Sequence, residues 1–325
     1  MIEEKIYMPK KKNNKTKEIA ISIIIVIVAA IITLFIVSTI KKNNYHKTNE
    51  YKLGQLGYSK EEVNELLKLD DDFIDHVLEI EYDPNILKVI KEKYYLEKNL
   101  DSYLAYAKEN KDKNLTDVVA LINTRSNNDR YTNTVKTDES KDLQILINKY
   151  YYTSENYEPN DLVTIKNWYA YGEGQQIRQK AYDNFISMYN DAKKSDITLI
   201  INSAYRSYAD QDEVYTDYVK WYGEAEANKI AAKPGYSEHQ TGLAIDIVTP
   251  GYNSKTFEES SAFTWLQNNA YKYGYILRYP KGKEYLTGYD YESWHYRYVG
   301  EEIAKYIHDN DITYDEYYAY FLEDK

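Results

Sequence analysis

The sequence predicts an α+β domain with a mainly antiparallel sheet flanked by helices, preceded by one transmembrane helix and a small helical region. Three observations predict it. Beyond residue 142, strand-length apolar runs and amphipathic stretches do not alternate regularly and several strands are near neighbours, which disfavours a doubly wound parallel sheet. Residues 19–40 form a run of 22 residues without a charge. Between these two regions, residues 59–122 carry short helical patterns with their own start signals.

At about 1.5 Å per residue the run 19–40 spans roughly 33 Å, enough to cross a bilayer. It is long for a secretory leader, and no small-x-small cleavage pattern follows in VSTIKKNN, so an uncleaved anchor is expected. Lys5, Lys10, Lys11, Lys12, Lys15 and Lys17 precede the run, whereas only Lys41, Lys42 and Lys47 follow closely. The positive-inside bias makes 1–18 a cytoplasmic tail and puts 41–325 outside a bacterial cell membrane. The chain has no cysteine, which excludes a lipoprotein anchor and disulfides and leaves stability to the core. Its net charge is −11, and the lysine-rich tail leaves the remainder more acidic still, which argues against a nucleic-acid partner. The 39 tyrosines suit half-buried surfaces and wet interfaces.

Residues 41–122 read as a linker followed by a helical stalk. Ser59 and Glu62 match a capping box ahead of Val63, Leu66 and Leu67. Asp83-Pro84 reads as an N-cap with proline at the first helical position. Asp101–Ala107 and Thr116–Ile122 are two further helix candidates. Residues 123–141, rich in Asn, Thr, Ser and Asp, are the best linker candidate. The main domain, 142–325, opens with a strand-like run at Leu143–Tyr151. Ala181, Phe185, Met188 and Ala192 mark an amphipathic helix over 176–194. Ile197–Ile201 is a strand, Ser207 caps a helix through Trp221, and Leu243–Val248 is a strand. Phe257–Tyr273 is a helix closed by Gly274. Tyr275–Tyr279 and Trp294–Val299 are strands, and Glu301–His308 and Tyr314–Leu322 are the last helices.

Two stretches carry the chemistry, SEHQTGLAID at 237–246 and ESWH at 292–295. A catalytic zinc site needs three protein ligands, an open position, and a group that manages a water proton. His239, Asp246 and His295 supply the ligands, and Glu292 supplies a general base for attack on an amide carbonyl. Alternation along Leu243–Val248 sends Leu243, Ile245 and Ile247 one way and Asp246 the other. An unpaired carboxylate in such a strand is costly, so Asp246 calls for a metal or a salt bridge. Arg206, in SAYRS at the end of a buried strand, can hold a carboxylate or an oxyanion, or form a structural ion pair. Gln211 and Ser237 are candidate hydrogen-bond donors to a substrate.

SAYRSYADQ, S-x-H-x-x-G-x-A-x-D and E-x-W-H, in this order, resemble the VanY-type D-alanyl-D-alanine carboxypeptidases, zinc peptidases of the hedgehog/DD-peptidase fold group. The resemblance covers about residues 140–310 and includes INKYYYTSENYEPNDLV. It implies Zn2+ held by His239, Asp246 and His295, with Glu292 as catalytic base. It also implies that Arg206 lies near the scissile bond, with Ser237 and Gln211 around the peptide terminus. The implied substrate is the peptidoglycan stem peptide, which would lose its terminal D-Ala. An L,D-carboxypeptidase or an endopeptidase of the same fold would use the same ligands. A non-catalytic wall-binding module would keep the zinc but would not need Glu292.

Overall fold

The structure is a computed structural model that describes residues 15–324, with the side chains of 15–25 and 41–48 outside the described set. The chain divides into two compact units, Met1–Lys88 and Val89–Lys325.

In the first unit the helix Lys15–Leu56 contains the run expected to be an anchor. Residues 26–40 of that run are exposed, and the side chains of 19–25 are not described. Among the described residues no helix is long and apolar enough to cross a membrane, so the expected anchor rests on the sequence run. Lys60–Leu66 starts at the expected capping box, with Ser59 and Glu62 exchanging hydrogen bonds, and buries Val63 and Leu66. Asp71–Glu79 is capped by Asp70 and buries Phe73, Ile74 and Val77.

The second unit holds more than the expected catalytic domain. Helices Leu100–Glu109 and Leu115–Asn123 belong to it, not to a separate stalk. Val118, Val119, Ala120 and Leu121 are all buried on the second of these helices, too many for a freestanding helix. Ala120 and Leu121 pack with Leu286, and Tyr94 stacks on Tyr320 with centroids 4.1 Å apart. The segment 123–141, expected as a linker, is also tied in. Arg125 pairs with Glu323 at 3.0 Å, Ser126 donates to the Leu286 carbonyl, and β1 (Val135–Lys136) pairs with β2 (Tyr151–Tyr152). Its polar side chains make these contacts directly, which a polarity reading takes for a loose tether.

The run Leu143–Tyr151 is not a strand before Tyr151, although Ile145, Leu146 and Ile147 are buried. Its backbone is satisfied by side chains instead of a ladder. Arg297 donates to the carbonyls of Leu143 and Ile145, and Asn148 Oδ1 accepts from the amides of Tyr150 and Tyr151. Buried polar backbone must be paired, and these two residues meet that need locally.

After the hairpin-like pair β3 (Leu162–Thr164) and β4 (Gln176–Arg178), the main sheet comprises β5 (Ile200–Ser203), β6 (Ala244–Val248), β7 (Tyr275–Leu277) and β8 (His295–Tyr298). Its order is β5-β6-β8-β7 and every neighbour is antiparallel, in keeping with the α+β class expected. One face, with Ile245, Ile247, Tyr296 and Tyr298, packs on helices Gln179–Lys193 and Ser261–Asn269 through Phe185, Met188, Phe263 and Leu266. The other face carries Asp246, His295 and Arg297. The expected helix over Phe257–Tyr273 is three pieces, two of them single 3-10 turns, ending on Gly274 as expected. The break before Ser261 comes from a second N-cap, the Ser260 hydroxyl accepting from Phe263 N.

Candidate functional site

Strand register builds half of the site. Asp246 lies directly opposite His295 in the β6–β8 ladder, and opposite residues share a face. His239 comes from the 3-10 turn Glu238–Thr241, which ends on Gly242 at φ 64. A Cβ at Gly242 would lie 2.8 Å from Leu162 Cδ2 and 2.9 Å from Arg178 Cγ, so only glycine closes this turn without displacing its neighbours.

His239 Nδ1 donates to the Ala204 carbonyl at 2.6 Å, which leaves Nε2 3.5 Å from Asp246 Oδ1. His295 Nδ1 lies 3.1 Å from the same oxygen. The three ligand atoms all lie within 4.8 Å of one another. Tetrahedral bonds of about 2.0–2.1 Å put ligand atoms roughly 3.3 Å apart, so the cluster fits one small divalent ion after slight contraction. Two imidazoles and a carboxylate are a donor set that suits zinc.

The electrostatics agree with cation binding. Burial, reinforced by the Arg206 charge, pushes His239 down to about 4, so it is the neutral, ligating form. Burial opposes charge on Asp246, but His239 and His295 hold it well below the usual carboxylate range. Burial likewise opposes charge on His295, yet Asp246 and then Glu238 raise it to about 9. Positive charge is therefore favoured where the carboxylates converge. Glu292 Oε2 stands 3.7 Å from His295 Nδ1. Burial above all raises Glu292 to about 7, helped by Asp246 and opposed by His295 and Arg206. A proton acceptor tuned near neutrality is what general-base work requires.

These groups line a cavity of about 280 Å³ that also reaches Arg206, Gln211 and Ser237. Arg206 makes no ion pair among the described residues. Its Nε donates to Gln211 Oε1 and its Nη1 to Ser203 Oγ, both at 3.0 Å, so its Nη2 edge is left for a ligand. Gln211 departs from its expected substrate contact: it is buried, and its amide spans Arg206 and the Ala232 carbonyl at 2.8 Å. It orients Arg206. Ser237 is buried at the pocket wall and its hydroxyl makes no hydrogen bond among the described residues.

Behind His295 lies a charge network that the motif reading missed. Glu238 Oε1 accepts from Arg278 Nε at 2.8 Å and from Arg297 Nη1 at 3.0 Å. Arg278 also grips Asp315 with two bonds, at 2.5 and 2.9 Å. All four residues are buried. The available signal was an arginine inside each of two apolar aromatic runs, YILRY and HYRY, since buried charges need partners. Lys149 was missed as well. It is fully buried, donates to the carbonyls of Asn228 and Gly288 at 2.5 and 2.6 Å, and lies 3.9 Å from the Tyr289 ring centroid. Those carbonyls precede two pocket-wall segments, Ile230–Ala232 and Tyr289–Glu292, so Lys149 ties the two walls together.

Residues 174–301 match VanY, D-alanyl-D-alanine carboxypeptidase. A putative carboxypeptidase of Bacillus subtilis, YodJ, is 45% identical over 187 residues, covering 55% of this chain and 67% of the relative. A D-alanyl-D-alanine carboxypeptidase of Enterococcus faecium is 38% identical over 152 residues, covering 46% of this chain and 45% of that protein. Among solved structures, the LdcB LD-carboxypeptidase is 44% identical with a TM-score of 0.51, covering 54% of this chain and 85% of that one. On the family match and the 45% identity to a relative covered over 67% of its length, the chain belongs to the VanY-type carboxypeptidase family.

Proposed function

We propose that the protein is a zinc carboxypeptidase that removes the C-terminal D-Ala from peptidoglycan stem peptides. The observation that carries this reading is the half-buried Glu292 carboxyl beside the His239, Asp246 and His295 cluster, in one cavity with the free edge of Arg206. When bound, zinc supplies Lewis acidity that polarises a scissile carbonyl and acidifies water. Glu292 takes the proton of the attacking water and returns it to the leaving amine. Arg206, held by Gln211 and Ser203, receives the substrate's terminal carboxylate. Ser237 offers a hydroxyl to the peptide backbone.

The likeness to an LD-carboxypeptidase favours a second reading, removal of D-Ala from the tetrapeptide. Mass spectrometry of products from a pentapeptide ending D-Ala-D-Ala and a tetrapeptide ending D-Ala, each with and without chelator, separates the two. Chelator-sensitive loss of one alanine from the pentapeptide alone supports D,D activity, and loss from the tetrapeptide supports L,D. No cleavage of either by zinc-loaded protein sinks both.

We also propose that residues 19–40 anchor the chain in the cell membrane with the catalytic unit outside. The uncharged run and the lysines before it support this. Protease added to intact cells should remove the catalytic unit; complete protection would contradict the topology.

A further inference from the structure

One face of the helix Tyr208–Tyr222 runs out of the catalytic cavity onto the surface. Gln211, Val214 and Tyr218 line the cavity at spacings of three and four, one stripe of a helix. The next positions on that stripe are Trp221 and Tyr222. Their rings lie 5.9 and 5.8 Å from Tyr218, and the helix stops at Gly223. Trp221 is 66% exposed and Tyr222 55% exposed, an unusual investment of large aromatic area in solvent.

We infer that Trp221 and Tyr222 form a platform for an amino sugar of the glycan strand, so that the enzyme binds stem peptides still attached to sugar. The inference rests on the proposed stem-peptide substrate. The C–H face of a pyranose is apolar and meets the negative face of an aromatic ring, while its polar rim stays wet. The reach agrees. From Gln211, which touches Arg206 in the cavity, to Trp221 the helix advances about 15 Å at 1.5 Å per residue. Three or four extended peptide residues between the scissile bond and the sugar linkage span about 10–14 Å. The platform is therefore continuous with the cavity through Tyr218 and lies where the peptide's sugar end would emerge.

The test uses the zinc-loaded full-length protein and its double variant Trp221→Ala, Tyr222→Ala. Both side chains are exposed, so folding is retained, and a thermal melt checks it. Two substrates are compared, the free stem peptide and the same peptide carrying the N-acetylglucosamine–N-acetylmuramic acid disaccharide. Wild type should prefer the glycopeptide, and the variant should lose about tenfold in kcat/KM on it, through KM, with free-peptide turnover unchanged. Equal losses on both substrates, or no loss on either, overturn the platform. Titration of the disaccharide alone, followed by tryptophan indole NMR signals, is independent of turnover. If wild type cleaves neither substrate, the proposed activity falls, while disaccharide binding lost in the variant still supports the platform and absence of binding overturns it.

Discussion

Glu238 Oε2 lies 3.6 Å from His295 Nε2, and neither atom has a hydrogen-bond partner among the described residues. The carboxylate stands behind the imidazole, on the side away from Asp246, where it can accept from Nε2–H and keep Nδ1 free to ligate. Such partners typically govern metal affinity by 10–100-fold. Glu238→Gln should therefore weaken metal binding by about 10–100-fold in competition with a chelating dye. It should also destabilise the protein by about 3–5 kcal/mol, because Arg297 keeps no carboxylate partner. Unchanged metal affinity in a folded variant would dismiss the role.

Glu292→Gln keeps the side-chain shape and removes the proton acceptor. Turnover should fall by about 10²–10⁴-fold, with bound zinc, counted by metal analysis, still near one per chain. Loss of the metal along with turnover would recast Glu292 as part of the binding set.

For Arg206, the Nη2 edge is the feature at stake. Arg206→Ala should raise KM for peptides with a free terminal carboxylate by at least tenfold, and have little effect on amidated peptides, which lack the negative charge. Equal effects on the two peptides would show that Arg206 serves the cavity's structure only.

Lys149 offers a pH signature. Burial, with Arg130 adding, pushes it down to about 7. An unfolded lysine titrates near 10.4, so between about 7 and 10 the unfolded chain binds the extra proton and stability rises with pH. Lys149→Met abolishes that contribution and leaves two buried carbonyls unpaired, at about 1–3 kcal/mol each. Urea unfolding should show a wild-type advantage that widens from pH 7 to 9.5. A constant gap across that range would refute a depressed Lys149.

What was legible in the sequence was whatever is short-range. His239, Gly242 and Asp246 fall within eight residues, Glu292 and His295 within four, and capping boxes such as Ser59–Glu62 and Ser207–Asp210 close on themselves. What was not legible depends on residues far apart in the chain. Glu238, Arg278, Arg297 and Asp315 span 77 positions and reveal their pairing only when β7 and β8 lie side by side. The same holds for Leu143–Tyr151: its apolar residues look like a strand because the arginine that satisfies its carbonyls lies 152 and 154 positions away from them. Gln211 reads as a hydrogen-bond donor to a substrate until the Ala232 carbonyl is placed against it.

Strand β8 carries His295 and Arg297 on one side and Tyr296 and Tyr298 on the other. A slip by one position would drive an arginine and a histidine into the apolar interior and turn two tyrosines toward the carboxylates, a mistake with no cheap compensation. Correct pairing of this strand is thus proofread from both sides. Alignment of a metal ligand with its partner on the next strand comes as a by-product of packing the interior, and a chain that has folded at all has already aimed His295 at Asp246.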